Sequence, residues 1–152
     1  MSLSSKYFRK LRRNLLNTLY SYEISKVKPS RSEMLSQVMN DLKPSSKLKR
    51  HAKRVISAVI DKRDFLDEIL RKHIRSTLFD SMGELEKTIL RIGAAEVIFY
   101  RHLVPVAVAV SEAVNLAKLY VDKNFASLVN ATLKDIVEQT LGKDEGKKKD
   151  NR

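Results

Sequence analysis

The stretch SKYFRKLRRNLLNTLYSYEIS, Ser5 to Ser25, sets the class of fold. Phe8, Leu11, Leu15, Leu19 and Tyr22 follow one another at intervals of 3, 4, 4 and 3 residues, which lines them along one side of an α-helix. Strand-like alternation is absent, and the stretch contains neither Gly nor Pro. The same three- and four-residue recurrence continues along the chain, which has 4 Gly and 3 Pro among 152 residues. The pattern predicts an all-α protein of about six to seven helices.

Working outward, Lys28, Pro29 and Ser30 read as a loop, and Ser30 stands three residues before Glu33, the spacing of a capping box. A short second helix follows on Leu35, Val38, Met39 and Leu42, ended near Pro44. A long segment over residues 46–75 suits a helix through Leu48, Ala52, Val55, Val59, Leu66, Ile69 and Leu70, with a bend or break at the charges of Asp61 to Asp64. After a turn at Ser81 and Gly83, Leu85, Ile89, Ile92 and Val97 define a helix over residues 84–100. Pro105 suits the first turn of the next helix, which reaches about Tyr120. A final helix on Leu128, Val129, Leu133, Ile136, Val137 and Leu141 should stop at Gly142. We expect one domain over residues 1–142, with subdomains at about 5–75 and 80–142, and a disordered basic tail over 143–152.

Composition excludes several functions. Without Cys there is no disulfide framework, thiolate metal site or thiol nucleophile. His51, His73 and His102 are 22 and 29 residues apart and form no helical metal pair. Asp61, Asp64, Asp67 and Glu68 alternate with Lys62, Arg63 and Arg71, and read as a solvated ion-pair face. No phosphate-cradling Gly motif and no nucleophile elbow occurs. The expectation is a protein that is not an enzyme and carries no metal and no cofactor.

The longest apolar stretch, Val104 to Val121, is interrupted by Glu112, Asn115 and Lys118, so no membrane span is expected. The first residues include Lys6, Arg9 and Lys10 with no apolar segment of a secretory signal behind them, and the expected location is cytoplasmic.

Charge is distributed unevenly. Residues 1–75 hold 19 Lys and Arg against 7 Asp and Glu, and residues 76–152 hold 11 against 11, so the whole formal net charge of +12 lies in the first half. Basic charge gathered on one side is the footprint of a polyanion partner. Lys6, Arg9, Lys10, Arg12 and Arg13 fall within eight residues, interleaved with Tyr7 and Phe8. Phosphates are met by such cations, so these five are the candidate RNA contacts, with Phe8 assigned to the core stripe. A second cluster, Lys47, Lys49, Arg50, Lys53 and Arg54, either extends that surface or simply faces water.

Several strings resemble the NusB family of transcription antitermination factors. Leu85 to Ile92 (LEKTILRI) is similar to the family's "A-[IV]-L-R-[LI]" helix, with Glu96 at its recurrent glutamate. Val104-Pro105 and Val110 to Lys118 (VSEAVNLAK) resemble "[IV]-P … I-N-E-A-[IV]-E-L-A-K". Leu128 to Leu133 (LVNATL) resembles "F-V-N-G-[VI]-L", and Leu19-Tyr20 with Glu23 matches the first-helix pattern. Ser111, Ala131 and Lys134 depart from the usual Asn, Gly and Asp.

The resemblance implies two perpendicular helical bundles and a factor that binds single-stranded boxA-type RNA with the ribosomal protein NusE. Such a factor promotes ribosomal RNA transcription, meets the RNA polymerase complex indirectly, and is compatible with a homodimer. It places Tyr20 and Glu86 near NusE, and Asn124, in the loop before the last helix, near RNA. Asn124 also suits an N-cap, and Tyr20 also suits simple packing. The competing class is a helical protein-interaction or ribosome-assembly module with only non-specific RNA affinity. A ribosomal RNA cytosine methyltransferase also carries a NusB-like domain, but no catalytic domain follows here, which favours the free-standing factor.

Overall fold

The computed structural model describes the backbone of residues 5–150 and the side chains of residues 7–140. Among them are eight helices and no strand. The first, α1, spans Ser5–Ile24 and buries Leu11, Leu15, Leu16 and Leu19 along the expected stripe. In α2 (Arg31–Val38) the Ser30 hydroxyl accepts the Glu33 N–H at 3.1 Å, as the capping spacing predicts. The chain leaves α2 through Asp41, whose φ of 61° is the left-handed turn conformation that a short polar side chain tolerates.

The long charged segment is two helices, α3 (Ser46–Asp61) and α4 (Arg63–His73), hinged at Lys62. The six-residue α5 (Ser76–Ser81), too short to show a period, escapes the sequence reading, although it buries Phe79. Next come α6 (Glu84–Phe99) and α7 (Val106–Tyr120), the latter entered through Pro105. The last helix, α8 (Lys123–Asp150), continues through Gly142, where the sequence predicts a stop. Gly142 and Gly146 each cost a helix only about 1 kcal/mol, and no Pro follows to break it.

The packing centres on α6. It contacts α1, α3 and α4 on one side and α7 and α8 on the other, and every residue from Thr88 to Val97 is buried. Gly93 makes the close approach there: a Cβ at that position would stand 2.7 Å from Leu133 Cδ1 and 3.2 Å from Ala113 Cβ. His73 of α4 meets Asp135 of α8 at 2.6 Å, a polar clasp between the two ends of the core.

Candidate nucleic-acid interface

The expected RNA-facing cluster on α1 is divided by the helix that carries it. Lys6 lies outside the described side chains. Arg12 is a correction to the sequence reading: it is 1% exposed and forms two parallel bonds to Glu96, Nε to Oε1 at 2.8 Å and Nη2 to Oε2 at 2.7 Å. Its position explains this, since Arg12 follows Phe8 by four residues and precedes Leu15 and Leu16 by three and four, inside the buried stripe. Arg9 holds Glu112 of α7 at 3.0 Å through Nε, with 59% of its side chain exposed. Lys10 donates to the Asp41 carbonyl at 2.8 Å. Arg13 is exposed and has no ion pair among the described residues.

Glu96 serves a second partner, His51 of α3, whose Nε2 stands 3.1 Å from Oε2. Burial, the largest influence on Glu96, pushes its carboxyl up. The His51 hydrogen bond and the Arg12 charge outweigh it, and the group ends below its usual range. An ionised carboxylate only accepts, so Nε2 of His51 carries the proton. The rings of Phe8 and His51 meet edge-on at 5.2 Å, and those of His51 and Tyr100 at 6.0 Å. Arg12 lies 4.9 Å from the centre of the Phe8 ring. This buried knot ties α1, α3 and α6 together.

A parallel arrangement holds α4. Arg91 bonds both carboxylate oxygens of the buried Asp67 at 2.8 Å and reaches Glu84 at 3.3 Å. Asp67 therefore does not belong to a solvated face, whereas Glu68, paired loosely with Lys72 at 3.9 Å, does. Both motif residues that carry the resemblance in α6, Arg91 and Glu96, are structural anchors.

The second basic cluster remains outside. Lys47, Lys49, Arg50, Lys53 and Arg54 are all exposed on α3, and none has a carboxylate partner among the described residues. They part into two faces. Lys47, Arg50 and Arg54, three and four residues apart, line a cleft of about 320 Å³ together with Phe8, His102 and Leu103. Lys49 and Lys53 border a separate groove with Arg31 and Leu35 of α2. The Tyr100 hydroxyl donates to the Arg54 carbonyl at 2.8 Å, fixing the α6 end against the cleft wall. Burial raises the Tyr100 pKa, with the nearby Arg54 charge opposing.

Asn124 is exposed in the first turn of α8 and is not the cap. Asp122 takes that role, its Oδ1 accepting the Phe125 N–H at 2.7 Å. Tyr20 and Glu86 are half-buried on α1 and α6, which pack together. Ser111, Ala131 and Lys134, the departures from the family pattern, are all exposed and leave the core untouched. Among the described residues no group of side chains is arranged to hold a metal, and no helix is long and apolar enough to cross a membrane.

The fold and surface define an all-helical protein locked by buried ion pairs, with five cations on α3 that have no carboxylate partner among the described residues. The NusB family model matches residues 9–138. The chain belongs to the NusB family. It is similar to transcription antitermination protein NusB of Ruminiclostridium cellulolyticum, 28% identical over 130 residues, 86% of this chain and 88% of that one. The corresponding protein of Bacillus pumilus is 26% identical, over 84% of this chain and 92% of its own length. Among solved structures, antitermination factors NusB and NusE in complex with double-stranded RNA match with a TM-score of 0.72 at 24% identity, over 88% of this chain and 98% of that one. NusB of T. maritima matches with a TM-score of 0.69 at 20% identity, over 91% and 93%. At these identities the solved structures bear on the fold alone.

Proposed function

We propose that the chain is an RNA-binding transcription antitermination factor that takes boxA-type single-stranded RNA together with the ribosomal protein NusE and promotes ribosomal RNA transcription. The observation that carries this reading is the family match across residues 9–138, joined to a first half that holds the whole formal excess of positive charge. Action by binding, without catalysis or cofactor and in the cytoplasm, belongs to the same proposal.

On α1, Arg13 is the outward cation best placed to meet phosphate, with Arg9 through the guanidinium nitrogens not engaged by Glu112. Lys6, Lys10 and Asn124 complete the proposed RNA contacts, and Arg12 is left out because it is buried. Tyr20 and Glu86 are the proposed NusE contacts, with the half-exposed placement that a partner surface needs.

The test is co-purification with NusE and a boxA RNA, against a scrambled RNA of equal length. Formation of the three-part complex only with boxA is the expected result, and equal retention of both RNAs would support the non-specific module instead. Glu86→Lys should abolish NusE retention while leaving the helical circular dichroism unchanged. Full retention would remove Glu86 from the interface.

A further inference from the structure

The cleft walled by α3 has the composition of a nucleotide site. Lys47, Arg50 and Arg54 share one face of α3, and among the described residues no acidic side chain borders the cleft. Like charges three and four residues apart repel each other, and Lys47 sits in the first turn of α3, where the helix dipole also opposes positive charge. Both costs are relieved by an external anion. Phe8 and the exposed His102 at the α6–α7 turn line the same cleft, with His51 and Val104. A ring and guanidinium planes around an open cleft suit an unpaired base, whereas a duplex keeps its bases stacked within itself.

We propose that this cleft binds one unpaired nucleotide of a single-stranded RNA, its flanking phosphates held by Lys47, Arg50 and Arg54 and its base stacked at His102 beside Phe8. The proposal rests on the RNA-binding reading above and shifts the main cationic contact from α1 to α3. Nucleotide-sized pockets start at a few hundred Å³, and the cleft volume of about 320 Å³ admits one base rather than several. Tyr100 and the buried knot beneath it hold both cleft walls in place before RNA arrives, through the Arg54 carbonyl on one side and the Phe8–His51 contact on the other.

The experiment is a fluorescence-anisotropy titration of the full chain with a labelled single strand of about twelve nucleotides and with the duplex of the same sequence. Two variants each remove two charges four residues apart on α3: Arg50→Gln/Arg54→Gln in the cleft and Lys49→Gln/Lys53→Gln in the neighbouring groove. The cleft variant should weaken single-strand binding on the order of tenfold and flatten the log–log salt slope by about 1.4, two phosphates at about 0.7 each. The groove variant should weaken it by less than about threefold, the effect of general attraction. His102→Ala should weaken the single strand several-fold and leave the duplex unchanged.

Equal losses from the two double variants, or none from the cleft variant, overturn the site. Equal effects of His102→Ala on single strand and duplex overturn the base contact. Crosslinking of a 4-thiouridine strand to the unmodified protein should mark Phe8, Lys47, Arg50, Arg54 or residues 102–104, and crosslinks confined to α8 or to α1 away from Phe8 count against the cleft. Absence of RNA binding by the unmodified chain would sink the functional reading itself. Binding that survives intact in the cleft variant sinks only this assignment.

Discussion

Two runs of cations that look alike in sequence have opposite fates in the fold. Arg9 to Arg13 lie on a helix whose apolar stripe continues through them, so that one arginine is buried against Glu96, one is anchored to Glu112 and a lysine is bonded to a backbone carbonyl. Lys47 to Arg54 lie on a helix whose buried face, Leu48, Ala52, Val55 and Ile56, leaves every cation of the cluster outward and without a carboxylate. The difference teaches that a basic cluster is evidence of a polyanion partner only after the protein's own carboxylates have been counted. On α1 two of the cations meet internal carboxylates; on α3, among the described residues, none of the five does.

The comparison breaks most visibly within α1, between two adjacent arginines. Arg12→Gln should destabilise the protein by about 3–5 kcal/mol, because it takes from the buried Glu96 charge the partner that bonds both its oxygens. Arg13→Gln, one residue along and exposed, should change stability by no more than about 0.5 kcal/mol. Urea unfolding of both measures the contrast, and a small loss for Arg12→Gln would mean that the buried pair is dispensable.

Acid tests the same knot more gently. The folded Glu96 carboxyl sits below its usual range, so its contribution is fully present above the unfolded carboxyl's pKa and is lost as pH falls through the folded value. The urea midpoint should therefore decline as pH drops below about 5, where unfolded glutamates begin to protonate. A variant with Arg12→Met, Glu96→Leu and His51→Phe replaces the knot by apolar groups and should show a shallower decline. Equal acid sensitivity would place the titrating groups elsewhere.

The helices were legible because their apolar spacing is regular, and the break at Lys62 was legible because charges interrupt that spacing. The knot was not. Arg12 stands in register with the stripe, but its partner Glu96 is 84 residues away in sequence, the His51 that shares that carboxylate is 45 residues from it, and no local pattern pairs them. Asp67 is hidden in the same way, since its alternation with nearby cations suggests solvent while its partner Arg91 comes from another helix. Family strings identified Arg91 and Glu96 as residues that matter, without saying that they matter for packing. The cleft needed three separated segments brought together, so the sequence offered only the cations of one wall.

A smaller effect sharpens the contrast on the RNA side. The triple variant Arg9→Gln/Lys10→Gln/Arg13→Gln should flatten the log–log salt slope of single-strand binding by about 0.7–1.4, one to two phosphates' worth, because two of the three cations are partly engaged inside the protein. A flattening of about 2 would show that all three meet phosphate and that their internal partners release them on binding.

The smallest effect concerns Asn124, which belongs to neither cluster. In sequence its two roles are entangled, since an amide before a helix can both cap it and touch RNA. The fold separates them, because Asp122 already supplies the cap. Asn124→Asp then introduces a carboxylate in the first turn of α8, where the helix dipole favours it, and stability should stay level or rise by a few tenths of a kcal/mol. If the amide donates to a phosphate or base edge, the carboxylate both loses the donor and repels the backbone, and affinity should fall by about 1 kcal/mol at low salt. Thermal unfolding and anisotropy titration of the same variant read the two effects independently. Unchanged affinity at low salt, where repulsion is least screened, would confine RNA contact to the cationic helices.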